Sequence, residues 1–381
     1  MEFWKEDFYS KRFAEKKRDD TIIVNIGPQH PATHGVLRVI AELYGEYIVR
    51  SECVLGYLHR MQEKMGEVKT YPQFYPNTGR LDYGHALAWN WAYVGAIEKL
   101  VGIEVPERAE YIRVITTELN RIASHLLWWG VYILDLGAFT PVMYAFEDRE
   151  IILDILQRIT GSRLTYTYFR FGGVFQDIDS KFIEQTKNFC KRMRSRLNLY
   201  HEFVTENMIF RKRVEGVGIF TKDLITRYGA TGPVARGSGI NYDVRKAEPY
   251  GVYNHFDFEI PVENGCDCLA RYMVRMREIE QSLNIIEQAI EGLPEGDFKN
   301  KKAPKVIKPP AGEVYFSVES ARGKVGIYVA SDGGMNPYRV KLRSPTYSNL
   351  SLLDEASEGM MLADYVATLG SLDLVIPEID K

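Results

Sequence analysis

Apolar positions change their period along this chain, and the changes divide it. Thr21 to Ile26 is a short apolar run of strand type, and Val36 to Ser51 reads as two strands joined at Gly45-Glu46. Between them lies Gly27-Pro28-Gln29-His30-Pro31-Ala32-Thr33-His34-Gly35. Pro31 pushes His30 out of the helical region, and Pro28 and Gly35 punctuate the ends, so this run predicts a rigid loop holding a histidine in a fixed place. A helical period then takes over. Ile112, Ile115, Leu119, Ile122 and Leu126 share one face after Pro106. Ile151, Ile152, Ile155, Leu156 and Ile159 follow, stopped by Gly161, and a third stripe from Leu269 to Ile290 ends at Gly292 and Pro294. These stripes are ordinary core. After a basic, proline-rich stretch, Lys299 to Pro310, the runs Val314–Val318 and Val325–Ala330 read as strands with Ala321-Arg322-Gly323 near the turn.

The pattern predicts an α+β chain. An arm over residues 1–20 precedes a β-rich part over 21–84, a central helical bundle over 85–298, a linker over 299–311 and a β-rich C-terminal part over 312–381. The arm mixes aromatics with Lys and Arg, which suits a segment lying on a partner.

Composition narrows the function classes. The chain has 381 residues, with 48 basic and 51 acidic, so it lacks the basic excess of a nucleic-acid binder. The cysteines, Cys53, Cys190, Cys266 and Cys268, form no CxxC pair, and Cys266-x-Cys268 alone is too sparse for a zinc or iron–sulfur site. Free thiols in a reducing compartment are expected. Neither a secretory signal nor a membrane-spanning stretch is expected: the first twenty residues are charged throughout, and Ile122–Phe146 is interrupted by His125, Asp135, Gly130, Gly137 and Pro141. Gly216-x-Gly218 lacks the third glycine of a dinucleotide loop. His30 and His34 are four apart like the ligands of a zinc protease, but Pro31 forbids the helix and no Glu follows His30. Taken singly, His34 reads as a loop anchor, Tyr83 as a core tyrosine with a satisfied hydroxyl, and Asp135 as a helix-end carboxylate. His125 reads as structural.

Ordered blocks alter that balance. GPQHPATHGVLR, LGYLHR with Glu63 and Lys64, GRLDY, RVITTELNRIASHLLWWG and LDLGAFTP are followed by FRFGGV, RVEGVGI, SGINYDVRKAEPY, VESARGKVGIYVASDGG and LGSLDLVIPEID. In that order, from about Ile22 onward, they resemble the large hydrophilic quinone-site subunit of respiratory complex I, the 49-kDa or D-type component. The resemblance implies the fold of nickel–iron hydrogenase large subunits. It places the hydrogenase cysteine pairs at Asp82 and His85 and at Val375 and Glu378. Nickel–iron ligation needs thiolates, so metal binding by this chain is not expected.

The resemblance further implies that the old metal cavity takes quinone, with no cofactor bound by this chain and electrons arriving from an iron–sulfur cluster in an adjacent subunit. It assigns proton donation to His34 and Tyr83, with Asp135 keeping the histidine charged and oriented, and it puts His30, His59 and Arg80 around the cavity. Implied partners are the small iron–sulfur (B-type) subunit, the C-type 30-kDa subunit and the membrane H-type subunit. The implied place is the cytoplasmic, matrix or stromal face of an energy-transducing membrane, in an NADH:quinone oxidoreductase that translocates protons. The chain is then an enzyme subunit with no activity alone. The alternative is a scaffold that only links the peripheral and membrane arms. Several positions depart from the family: Cys53-Val54 where Pro-His is common, Pro72 and Asn77-Thr78-Gly79 before RLDY, a shortened segment at 299–310, and Lys381 where Arg is typical.

Overall fold

The computed structural model describes residues 9–10, 14–15, 17–29 and 35–381. His30 and His34 lie outside the described residues, as does most of the expected N-terminal arm. Three antiparallel strands open the described chain: β1 (Ile22–Ile26), β2 (Arg38–Tyr44) and β3 (Tyr47–Val54). The Gly45-Glu46 turn predicted from sequence joins β2 to β3, with a register irregularity between Glu42 and Leu43. Alternation along β2 buries Leu43, Ala41 and Val39 against Leu350, Leu353, Leu369 and Ile376 from the far end of the chain.

β-structure stops at Val54, earlier than the expected β-rich part at 21–84. Helices α1 (Gln62–Val68) and α2 (Tyr71–Thr78) follow. The reason is local. Thr70 and Gln73 form a capping box, with Thr70 N–H donating to Gln73 Oε1 at 3.2 Å, and Pro72 sits in the first turn, where a missing N–H costs nothing.

The bundle is built by α3 (Ala86–Val101), α4 (Glu107–Asp135), α5 (Thr140–Thr160), α6 (Ser180–Tyr200) and a later helix over Cys268–Glu291. α4 begins after Pro106 with Glu107 and Glu110 in its first turn, where carboxylates complement the helix dipole. α5 ends at Gly161 in the left-handed conformation, as the stripe ending predicted. β4 (Phe169–Arg170) and β5 (Gly173–Val174) make a small hairpin, and four short helices come next: α7 (Met208–Val214), α8 (Lys222–Tyr228), α9 (Pro233–Arg236) and α10 (Val244–Ala247). α11 (Cys268–Glu291) is capped by Asp267, whose carboxylate accepts from Ala270 N–H at 2.7 Å. α4 lies centrally, packed along α5 and α11.

Residues 299–311 carry no helix or strand but are tied down: Asn300 N–H donates to Gly172 O at 2.7 Å, and Ile307 is buried. Then come β6 (Gly312–Ser320), β7 (Gly323–Ser331) and β8 (Arg339–Arg343), an antiparallel meander laid on α3. Ser320 pairs with Gly323, so Ala321 and Arg322 form a two-residue turn. The C-terminal part is less β-rich than expected. It closes with α12 (Pro345–Ala356), α13 (Leu362–Ser371) and α14 (Ile376–Ile379). Ser344 caps α12 through its hydroxyl, with Pro345 in the first turn. Among the described residues no helix is long and apolar enough to cross a membrane.

Candidate functional site

The turn from Arg80 to His85, between α2 and α3, is held from inside. Leu81, Asp82 and His85 are fully buried, whereas Tyr83 between them is 38% exposed. Asp82 Oδ1 accepts from Gly84 N–H and His85 N–H, both at 3.0 Å. Arg322 Nη1 donates to both Asp82 oxygens, at 3.1 and 2.9 Å. His85 is locked at both nitrogens: Ala321 N–H donates to Nδ1 at 2.8 Å, and Nε2 faces Thr117 O at 3.1 Å. That pattern needs the neutral tautomer with its proton on Nε2. Burial pushes the His85 pKa well below its ordinary value, with Arg121 adding to the effect. Tyr83 thus stands on a rigid turn, and its hydroxyl makes no hydrogen bond to a described residue. Burial raises its pKa, Arg322 opposes the rise, and Asp82 and Asp373 add to it. Among the described residues nothing satisfies the Tyr83 hydroxyl, unlike that of the core tyrosine suggested when it is read singly.

Val375 and Glu378, the other two positions that the resemblance to hydrogenases singles out, are also committed. Val375 is buried. Glu378 is fully buried and accepts from Trp89 Nε1–H at 2.9 Å, Ser344 Oγ–H at 3.0 Å, and both the N–H and hydroxyl of Thr346. Burial and the nearby Asp82 carboxylate raise its pKa to about 7. A metal at these positions would have to displace Arg322 from Asp82, pull His85 off two backbone partners and coordinate valine.

Asp135 ends α4, half-buried, just before Gly137 turns the chain with φ 97°. A Cβ on Gly370 would lie 3.8 Å from Asp135 Oδ2 and 2.9 Å from the Tyr132 ring. Trp128 Nε1–H donates to Gly370 O at 2.8 Å. Three residues on, Asp373 Oδ1 accepts from Arg322 Nη2 at 3.0 Å. The stretch Gly370–Asp373 therefore connects the surroundings of Asp135 with those of Tyr83.

His59 and Arg80 are not drawn into this buried cluster. His59 is exposed, with Nδ1 3.3 Å from Asp380 O, while Asp380 Oδ2 accepts from Gly56 and Leu58 N–H and fixes the preceding loop. Arg80 is exposed and donates back to Pro76 O. His125 is buried, its Nε2 2.9 Å from Glu278 Oε2.

Sequence reasoning missed the ions behind the turn. Arg322 was legible only as a hairpin residue, and Asp373 carried no signal of its own. Deeper, Arg236 donates to Glu278 and Glu319, and Arg245 pairs with Asp243 and Glu118, all buried. The signal available was polarity on stripes otherwise read as core: Glu118, Arg121 and His125 recur at helical spacing on α4.

Comparison with known proteins identifies the family. The family described as "Respiratory-chain NADH dehydrogenase, 49 Kd subunit" matches residues 135–309 and 301–381. The D-type subunit of the NADH-quinone oxidoreductase of Desulfotalea psychrophila is 60% identical over 363 residues, covering 95% of this chain and 98% of that protein. Its counterpart of the same name in Syntrophobacter fumaroxidans is 55% identical over 371 residues, 97% of this chain and 100% of its own. The one in Geobacillus kaustophilus is 50% identical over 364 residues, 95% and 99% respectively. With a family profile spanning more than half of the chain and relatives this similar end to end, the chain belongs to the 49-kDa subunit family of the respiratory-chain NADH dehydrogenase.

Proposed function

We propose that this chain forms the quinone-reducing site of a multisubunit NADH:quinone oxidoreductase and has no activity alone. The observation that carries the reading is Tyr83: a phenol on a clamped turn, partly open, its hydroxyl unbonded within the described protein, above a buried ion cluster. A phenol with its pKa above 10 stays protonated at neutral pH, hydrogen-bonds a quinone carbonyl and protonates the far more basic reduced oxygen. Quinone takes two electrons and two protons. Electrons arrive from an iron–sulfur cluster in a neighbouring subunit, since this chain offers no thiolate set for one. His34 supplies the second proton and Asp135 holds it charged and oriented; a carboxylate beside a histidine raises its pKa, and its loss of a partner on proton transfer is an electrostatic trigger for the membrane arm. His30, His59 and Arg80 border the cavity mouth.

The fold in this reading is that of nickel–iron hydrogenase large subunits with the metal ligands replaced. The small iron–sulfur (B-type), C-type 30-kDa and membrane H-type subunits surround the chain, which sits on the cytoplasmic, matrix or stromal side of the membrane as a peripheral component of a proton-translocating complex. A photoreactive quinone added to the assembled complex tests the reading. Labelling of the peptides around residues 27–35 and 80–85, suppressed by excess native quinone, is the expected result. Labelling confined to other subunits refutes the site and favours the scaffold alternative.

A further inference from the structure

Arg322 is an anomaly by its position. It is the second residue of a two-residue hairpin turn, where a long cation ordinarily reaches into water, yet it is 2% exposed. Burying a guanidinium is costly unless its donors are paired. Here Nε donates to Asp373 O at 3.0 Å, Nη2 to Asp373 Oδ1 at 3.0 Å, and Nη1 to Asp82 and to Ser124 Oγ at 3.0 Å. One side chain thus joins three distant segments: the turn before α3, the face of α4 and the link after α13. The neighbouring residue of the same hairpin, Ala321, holds His85. Both ends of Asp82-Tyr83-Gly84-His85 are therefore clamped by one hairpin. Gly84 leaves the room for this: a Cβ there would lie 3.0 Å from Arg322 Nη2 and 3.1 Å from Ser124 Oγ.

We propose that Arg322 is the positioning residue for quinone reduction: it fixes the place of the Tyr83 hydroxyl and supplies the positive charge that offsets the phenolate left when Tyr83 gives up its proton. The proposal rests on the reading of Tyr83 as proton donor. In that step the Tyr83 O–H bond breaks and an O–H bond forms on the reduced quinone oxygen; the phenolate is then reprotonated from solvent. The two electrons come from the neighbouring cluster, and the second proton from the second donor. The phenolate appears beside two carboxylates, Asp82 and Asp373, and among the described charged groups that act on Tyr83 only Arg322 favours it. A charge that matters more after proton transfer than before acts on the transition state rather than on binding. Lysine would not replace it fully, because a point charge cannot bridge Asp82 and Asp373 with a planar fork.

The test is a double-mutant cycle in the assembled complex: Arg322→Gln and Arg322→Lys, each alone and combined with Tyr83→Phe, with NADH oxidation by a soluble acceptor as the control for assembly. Arg322→Gln is expected to lower kcat for quinone reduction by about 10²-fold, the usual effect of losing an aligned or charge-stabilising group, while quinone KM stays nearly constant. Arg322→Lys should recover part of that loss. In the Tyr83→Phe background neither substitution should lower kcat further, because the group acted on is gone. If Arg322→Gln does not assemble, the charge-preserving Arg322→Lys carries the cycle, with the same non-additivity expected. Unchanged kcat, a rise in KM alone, or equal losses in both backgrounds overturn the proposal. A Tyr83→Phe complex reducing quinone at full rate instead overturns the donor reading beneath it.

Discussion

Replacing Arg236 with methionine is expected to destabilise the chain far more than removing an exposed arginine. Arg236 is fully buried and donates to Glu278 Oε1 from Nε at 3.0 Å and Nη2 at 2.5 Å, to Glu319 Oε1 at 2.8 Å and to Tyr242 O at 3.0 Å; Asp243 Oδ2 lies 3.5 Å away. Methionine fills similar space but, among the described residues, leaves the Glu278 carboxylate with His125 and the Glu319 carboxylate with Val244 N–H as their remaining hydrogen-bond partners. His125 is a poor replacement cation, because burial lowers its pKa despite Glu278. Breaking a buried pair in this way costs about 3–5 kcal/mol, a large share of the roughly 5–15 kcal/mol that holds a domain together. The orphaned carboxylates relieve part of the cost by binding protons, so the deficit relative to the parent chain should shrink between pH 7 and pH 5. Urea unfolding of the purified chain at both pH values measures this as a midpoint shift at constant slope. Arg163→Met, which removes an exposed pair with Glu150 and Asp154, is the control and should change little. A deficit below about 1 kcal/mol, or one independent of pH, would refute the reasoning. Function is coupled to this: Glu319 lies three residues before Arg322, so loosening it frees the hairpin that clamps the Tyr83 turn.

Glu378 should behave as a titrating acid. Burial and Asp82 raise its pKa from 4.5 to about 7, so the folded chain holds this proton more tightly than the unfolded chain. Its contribution to stability is full below pH 4.5 and is lost as the pH rises through about 7. Infrared spectra between pH 6 and 8 should show a protonated carboxyl band that disappears on raising the pH and is missing from Glu378→Gln; identical spectra for the two would contradict the assignment. Gly95 is a packing requirement of α3: a Cβ there would lie 2.5 Å from the Phe316 ring of β6. Gly95→Ala should therefore lower the unfolding midpoint by the equivalent of about 1–3 kcal/mol, and Gly95→Ala with Phe316→Leu should recover most of it.

Much of this architecture was written in local patterns. The stripes on α4, α5 and α11 and their stops at Gly161 and Gly292 appear where the periodicity placed them, because each turns an apolar stripe to the core, although α4 is buried on its polar sides as well. The Gly45-Glu46 hairpin and the strands meeting at Ala321-Arg322 were legible for the same reason. The helices α1, α2 and α12 to α14 were hidden in parts expected to be β-rich, although Thr70-x-x-Gln73 and Ser344-Pro345 carry capping signals that mark two of their starts. For the site, Tyr83 and Asp135 stand out within their motifs, but what surrounds them does not. Arg322 is 239 residues from Tyr83 and Asp373 is 290, and only the tertiary fold reveals that a surface-type turn residue has become the buried counter-ion of two acids. His34 remains a proposal from the resemblance, outside the described residues.

The central claim is that Tyr83 donates a proton to reduced quinone, and one rate tests it directly. Tyr83→Phe removes a single hydroxyl that makes no hydrogen bond to a described residue, so the turn held by Asp82, His85 and Arg322 should persist. In the assembled complex, quinone reductase activity should fall by about 10²- to 10⁴-fold while NADH oxidation by a soluble acceptor is retained. A Tyr83→Phe complex that reduces native quinone at the parent rate would contradict the account.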